Sequence, residues 1–119
     1  MTTKALLFIW LIVAQQDELA ECRRLAPKYD AQVEVKLADD TRVDLLNDEY
    51  AYEVDWAPKW AEAVGQSVHY GLMTNRKPAV ILLLKDPSTE WKHLVRAARV
   101  CGRLEITLHI EEVMKGHEK

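Results

Sequence analysis

The stretch RVDLLNDEYAYEVDWAPKWAEAVGQSVHY, Arg42 to Tyr70, decides the fold. Arg42–Leu46 and Tyr50–Trp56 read as strands joined through Asn47-Asp48-Glu49, and a helix follows from Pro58 to about Thr74. Pro58 suits a first helical turn, where its missing N–H has no intrahelical partner. Pairing Asn47 with Tyr50 sets Leu45 opposite Tyr52, Asp44 opposite Glu53, Val43 opposite Val54 and Arg42 opposite Asp55. This register predicts an apolar side of Val43, Leu45, Tyr52 and Val54 and a polar side of Arg42, Asp44, Glu53 and Asp55. A slip of one residue mixes the two, so burial favours it. Opposed residues hold their Cβ atoms about 4.5–5.5 Å apart, so Asp44 and Glu53 repel unless a cation or a shared proton lies between them. Mg²⁺ prefers such a setting, with one or two carboxylates and the remaining positions left to water and phosphate. The plainer account is a solvated face with Arg42 paired to Asp55, an exposed pair that contributes only about 0–1 kcal/mol.

The helix adds to the pattern. At 100° per residue Lys59, Gln66 and Tyr70 project within about 20° of one direction, with Ala63 leaving room on the same stripe. Trp60, Val64, Val68 and Leu72 form a neighbouring apolar stripe expected to face the core. A lysine, a glutamine and a tyrosine thus follow two strands that carry opposed acids.

Working outward, Asp17–Lys28 reads as a helix, with Leu19, Cys22, Leu25 and Ala26 at spacings of three and four and Pro27 at its end. Gln32–Leu37 alternates with period two, as a half-buried strand does, and residues 38–41 make the turn. Ala79–Leu84 is a continuous apolar run, suited to a strand covered on both faces. Ser88 or Thr89 is expected to cap a helix to about Val100 that Gly102 closes, and Leu104–Ile110 alternates as the last strand. The order α-β-β-β-α-β-α-β predicts an α/β sandwich: a three-strand meander, then two strands reached through helical crossovers, in a mixed sheet with helices on both sides.

The chain of 119 residues suits one domain. Its formal charge of −3 lacks the general basic excess of a dedicated nucleic-acid binder. Arg23-Arg24, Arg96 with Arg99, and Lys115 are the clustered positives, readable as solvated helix faces. At the N-terminus Lys4 precedes the apolar run Ala5–Ala14, and polar Gln15-Gln16-Asp17 follows. The segment 1–14 reads as a secretory signal peptide, leaving 15–119 as a single domain; the alternative is a buried strand or the apolar start of the first helix. Ten apolar residues fall short of the roughly 20 a transmembrane helix needs, so no stable membrane span is expected in the mature chain. Cleavage would place the protein in the periplasm or envelope; without it the chain is cytoplasmic. Cys22 and Cys101 form no CxxC motif; they read either as one disulfide joining two helices in an oxidising compartment or as two buried thiols.

At these residues the chain resembles the PD-(D/E)XK nuclease superfamily, the restriction-endonuclease-like fold. The resemblance covers most of the chain after the leader. It implies an α-β-β-β-α-β core over Asp17–Leu84, with an extra C-terminal helix and strand. Asp44 matches the first metal-binding acid, Glu53 the second, and Gln66 with Tyr70 the Gln-x-x-x-Tyr motif of the RecB-like branches. Asp55 departs from the pattern, standing where the motif lysine belongs, and Lys59 is the residue that compensates from the start of the helix. The segments Thr41-Arg-Val-Asp44, Glu53-Val-Asp55 and Lys59-Trp-Ala-Glu-Ala-Val-Gly-Gln66 are also similar to those of small uncharacterised bacterial proteins with a leader peptide.

The resemblance implies hydrolysis of phosphodiester bonds in nucleic acid. Asp44, Glu53 and Lys59 would be catalytic, Asp44, Glu53 and Asp55 would hold Mg²⁺ or Mn²⁺, and Gln66 and Tyr70 would position the substrate. The alternative is a catalytically inactive interaction module in the cell envelope that keeps the sheet as a scaffold.

Overall fold

A computed structural model describes residues 2–114, and the side chains of all of these except 7, 8 and 10–16. The leader expected over 1–14 and the positive charge at Lys115 lie largely or wholly outside the described side chains. No helix among the described residues is long and apolar enough to cross a membrane.

The chain forms α1 (Thr3–Leu25), β1 (Gln32–Lys36), β2 (Arg42–Leu46), β3 (Tyr50–Trp56), α2 (Trp60–Thr74), β4 (Lys77–Leu84), α3 (Pro87–Leu104) and β5 (Thr107–Glu112), with a 3-10 turn at Ala57–Lys59. The five strands lie in one sheet in chain order. β1, β2 and β3 are antiparallel neighbours, while β3, β4 and β5 run parallel. The expected element order and the mixed α/β sheet are both observed.

The sheet has a helical layer on each side. On one face Cys22 and Leu25 of α1 pack on Leu45, Tyr52, Val54, Ala79, Ile81 and Leu83. On the other, Ala63 and Val64 of α2 and Ala97 and Cys101 of α3 pack on Val80, Leu82 and Ile106. β4 is therefore covered twice, and Ala79–Leu84 is buried throughout, as its apolar run predicts. Cys22 and Cys101 are free, buried thiols in separate clusters on opposite faces of the sheet, so the disulfide alternative fails.

Several boundaries differ from expectation. α1 begins at Thr3, whose preceding Thr2 side chain accepts from the Ala5 N–H at 3.2 Å, rather than at Asp17. Asp86, not Ser88 or Thr89, caps α3: its carboxylate accepts from the Ser88 amide at 3.1 Å. Glu90 reaches back to accept from the Lys85 and Asp86 amides at 2.8 and 2.9 Å, so the cap is reciprocal. Gly102 does not close α3, which runs on to Leu104 and ends on Glu105 in the left-handed region at φ 58. The strand expected from Leu104 therefore begins at Thr107.

The stripe assigned to α2 is also rotated. Ala63, Val64, Ser67, Tyr70 and Gly71 are its buried residues, while Leu72 is 80% exposed and Val68 is exposed as well. Small residues at positions 63, 67 and 71 bring this helix close to the sheet. A Cβ on Gly71 would stand 3.0 Å from the Arg76 carbonyl oxygen and 3.3 Å from Pro78.

Candidate functional site

The site begins with an interruption of the strand pattern. The β1–β2 ladder pairs Val33 with Leu45 and Val35 with Val43 but skips the position between them. There Glu34 takes φ 52, a left-handed conformation disfavoured for a residue with a Cβ. Alternation breaks at this point. Leu45 and Val33 belong to the α1 face, whereas Val43 and Val35 pack with Ala51 and Tyr70 on the α2 face. The expected apolar side of Val43, Leu45, Tyr52 and Val54 is thus corrected: Val43 has crossed the sheet.

The hairpin register holds where the strands touch, with Leu45 opposite Tyr52 and Leu46 opposite Ala51. The regular ladder ends there, one position before Asp44 and Glu53. Asp44 uses the gap: its Oδ2 accepts from the Val54 amide at 2.8 Å, satisfying a donor the ladder leaves open. Arg42 has Glu34 at 3.9 Å as its ion-pair partner rather than Asp55.

Four carboxyl groups meet at this fork. Glu53 and Asp55 on β3 are 6% and 5% exposed, unusual for acids. Asp44 lies within hydrogen-bonding reach of Glu53. Glu18 of α1 lies within reach of Asp55, while Asp55 also accepts from the Trp56 amide at 2.8 Å. Burial, reinforced by the charge of Asp44, pushes the Glu53 carboxyl well above the usual carboxylate range. Burial raises Asp44 too, against the opposing effect of its bonds to Glu53 and the Val54 amide. Glu18 is pushed up to about 8, by burial first and then by Asp55 and Asp44. The cluster holds more negative charge than its surroundings balance, so it retains protons or takes a cation.

Helix α2 closes the site from one side. With its amide turned to donate, Gln66 meets both Glu53 carboxylate oxygens at 2.9 and 3.0 Å. Tyr70 packs against Val43 and Ala51, and burial, together with the charges of Glu53 and Asp44, raises its phenol to about 12. Lys59 precedes α2 as its N-cap rather than riding on its stripe. It is exposed, forms no ion pair among the described residues, and its positive charge acts on Glu18.

The acids Asp44, Glu53 and Asp55 therefore come together, with Gln66 bonded to one of them and Tyr70 alongside. Glu18 is the member that sequence reasoning missed. It lies four and seven residues before Cys22 and Leu25, on the stripe of α1 that packs against the sheet, and an acid on a buried stripe was the available signal.

The donor set is all oxygen and anionic, which fits a hard divalent cation such as Mg²⁺ or Mn²⁺. As placed, the carboxyl groups pair two by two, and among the described residues no three His, Cys, Asp or Glu side chains form a ready metal cage. Family models, curated proteins and solved structures were compared with the chain, and none matched.

Proposed function

We propose that the chain is a metal-dependent phosphodiesterase acting on nucleic acid, its sheet a restriction-endonuclease-like version of the α/β sandwich. The observation that carries this reading is the gathering of Glu18, Asp44, Glu53 and Asp55 at the fork between β2 and β3, where Glu18, Asp44 and Glu53 are all shifted toward their protonated forms. Replacing those protons by Mg²⁺ or Mn²⁺ relieves the same repulsion.

Asp44 and Glu53 would be the principal ligands, with Asp55 and Glu18 beside them. Such an ion supplies Lewis acidity, acidifying water and offsetting charge on phosphate oxygens. Gln66 holds the Glu53 carboxyl in one orientation from the second layer. Tyr70, packed against Val43 and Ala51 beside the fork, would with Gln66 position the substrate. Lys59 brings a flexible positive charge to the rim, which suits an incoming phosphate. Because position 55 carries an acid, Lys59 alone of the named residues supplies cationic help.

The test is cleavage of plasmid, single-stranded DNA and RNA with Mg²⁺, with Mn²⁺ and with EDTA. Cleavage that requires the ion and falls at least about 100-fold in both Asp44→Ala and Glu53→Ala supports the reading. Metal binding without cleavage of any substrate would favour the second reading, a catalytically inactive interaction module in the cell envelope. Asp55 in the lysine position and the net acidic charge of −3 are the features on its side.

A further inference from the structure

Helix α3 carries a second, different surface. At 100° per residue Lys92, Arg96, Arg99 and Arg103 fall within an arc of about 60°, in a line about 16 Å long. All four are exposed. None takes part in an ion pair or side-chain hydrogen bond among the described residues. Between Lys92 and Arg103 the helix has no acid; Glu90 is used in the N-terminal cap and Glu105 is the C-cap residue. Like charges one turn apart on a helix repel, so an ordinary solvated face would intersperse acids with them.

The same helix exposes Val95, about 40° round from the basic line, and at its N-terminal end Trp91, 59% accessible, about 80° round on the same side. The rest of the chain accentuates the contrast. Of 16 Lys and Arg against 19 Asp and Glu, four bases stand on this line, leaving twelve to face all nineteen acids. A polyanion is therefore attracted to one strip of an otherwise acidic protein.

Three of the four cations are arginines, whose guanidinium fork matches phosphate oxygens bidentately. A bilayer fits less well, because a membrane-surface helix must bury its apolar face in lipid. Here Leu94, Ala97, Val100 and Cys101 are committed to the core. An exposed tryptophan beside a row of cations has the composition of a single-strand platform, where backbone phosphates meet charge and a base meets a ring.

We propose that the outer face of α3 is a docking track for a single nucleic-acid strand, with phosphates on Lys92, Arg96, Arg99 and Arg103 and a base stacked on Trp91. None of these residues belongs to the carboxylate cluster, and the track goes beyond hydrolysis there: binding is expected whether or not the cluster cleaves.

The test is fluorescence anisotropy of the full chain with a labelled single strand of about 20 nucleotides, in EDTA so that no divalent ion contributes. Four phosphate contacts predict that log K falls with log salt at a slope of about −3. Arg96→Ala with Arg99→Ala should roughly halve that slope and weaken binding at least about 10-fold, while the paired Arg→Lys change keeps the slope. Trp91→Ala should weaken binding at an unchanged slope. Unaltered melting of each variant shows that the fold is kept. Binding that ignores the paired alanine change overturns the proposal. So does equal capture of polyglutamate or of anionic vesicles, or equal affinity for duplex with no effect of Trp91→Ala.

Discussion

Gln66 is exposed, yet its amide spans both oxygens of a buried carboxyl, which makes it a positioning residue. Gln66→Ala removes the bonds that orient Glu53 from α2 and is expected to weaken Mn²⁺ affinity about 10–100-fold with little change in stability, as measured by titration calorimetry. An unchanged affinity would remove Gln66 from the site. Sequence spacing was enough to associate Asp44, Glu53, Asp55 and Gln66, because a hairpin and the helix after it are local and their geometry follows from two short periods. Glu18 was harder to read. Its contact with Asp55 spans the turn and three strands, and such long-range packing leaves no spacing of its own in the chain. The crossing of Val43 was hidden for another reason: it goes with the backbone of Glu34, which takes a left-handed conformation at φ 52 that no glycine marks.

Among the elements, α2 shows how polarity can mislead. Val68 and Leu72 look like core residues, yet the helix turns its small residues inward, since Ala63, Ser67 and Gly71 allow a close approach that larger side chains would prevent. The two glycines of α2 provide a paired measurement. Nothing lies within 4 Å of a Cβ added at Gly65, so Gly65→Ala should stabilise by about 0.5–1 kcal/mol through helix preference alone. At Gly71 the added carbon meets a backbone oxygen at 3.0 Å, and Gly71→Ala should instead destabilise by about 1–3 kcal/mol. Urea denaturation of both variants checks the difference in sign. Loss of the α3 cap in Asp86→Ala should cost about 1 kcal/mol in the same experiment. The strands were more legible than the helices: β4 announced itself by an unbroken apolar run, and the register of β2 on β3 held for as long as the two remain paired.

For the whole molecule, the carboxyl cluster sets how stability responds to pH. Glu18, at about 8, and Glu53 and Asp44, also raised, keep protons in the folded state that the unfolded chain releases above its ordinary carboxyl range. Their contribution is full below the unfolded values and is lost as pH rises through the folded ones. Glu111 acts oppositely: despite burial, Lys28 and Tyr29 hold it below the ordinary range, so its contribution is lost on acidification. Without divalent ions the melting temperature should therefore peak near about pH 5 and fall by at least about 5 °C toward about pH 8. Adding Mn²⁺ should restore it mainly at the alkaline end; a melting temperature that rises steadily with pH would contradict this account of the cluster. The two buried thiols offer a different kind of readout. Because the sheet separates them, Cys22 becomes reactive when the layer formed by α1 lifts away, and Cys101 when the α3 layer does. Labelling rates at the two sulfurs under native conditions thus time the opening of each side of the sandwich separately, making the protein its own two-channel reporter of partial unfolding.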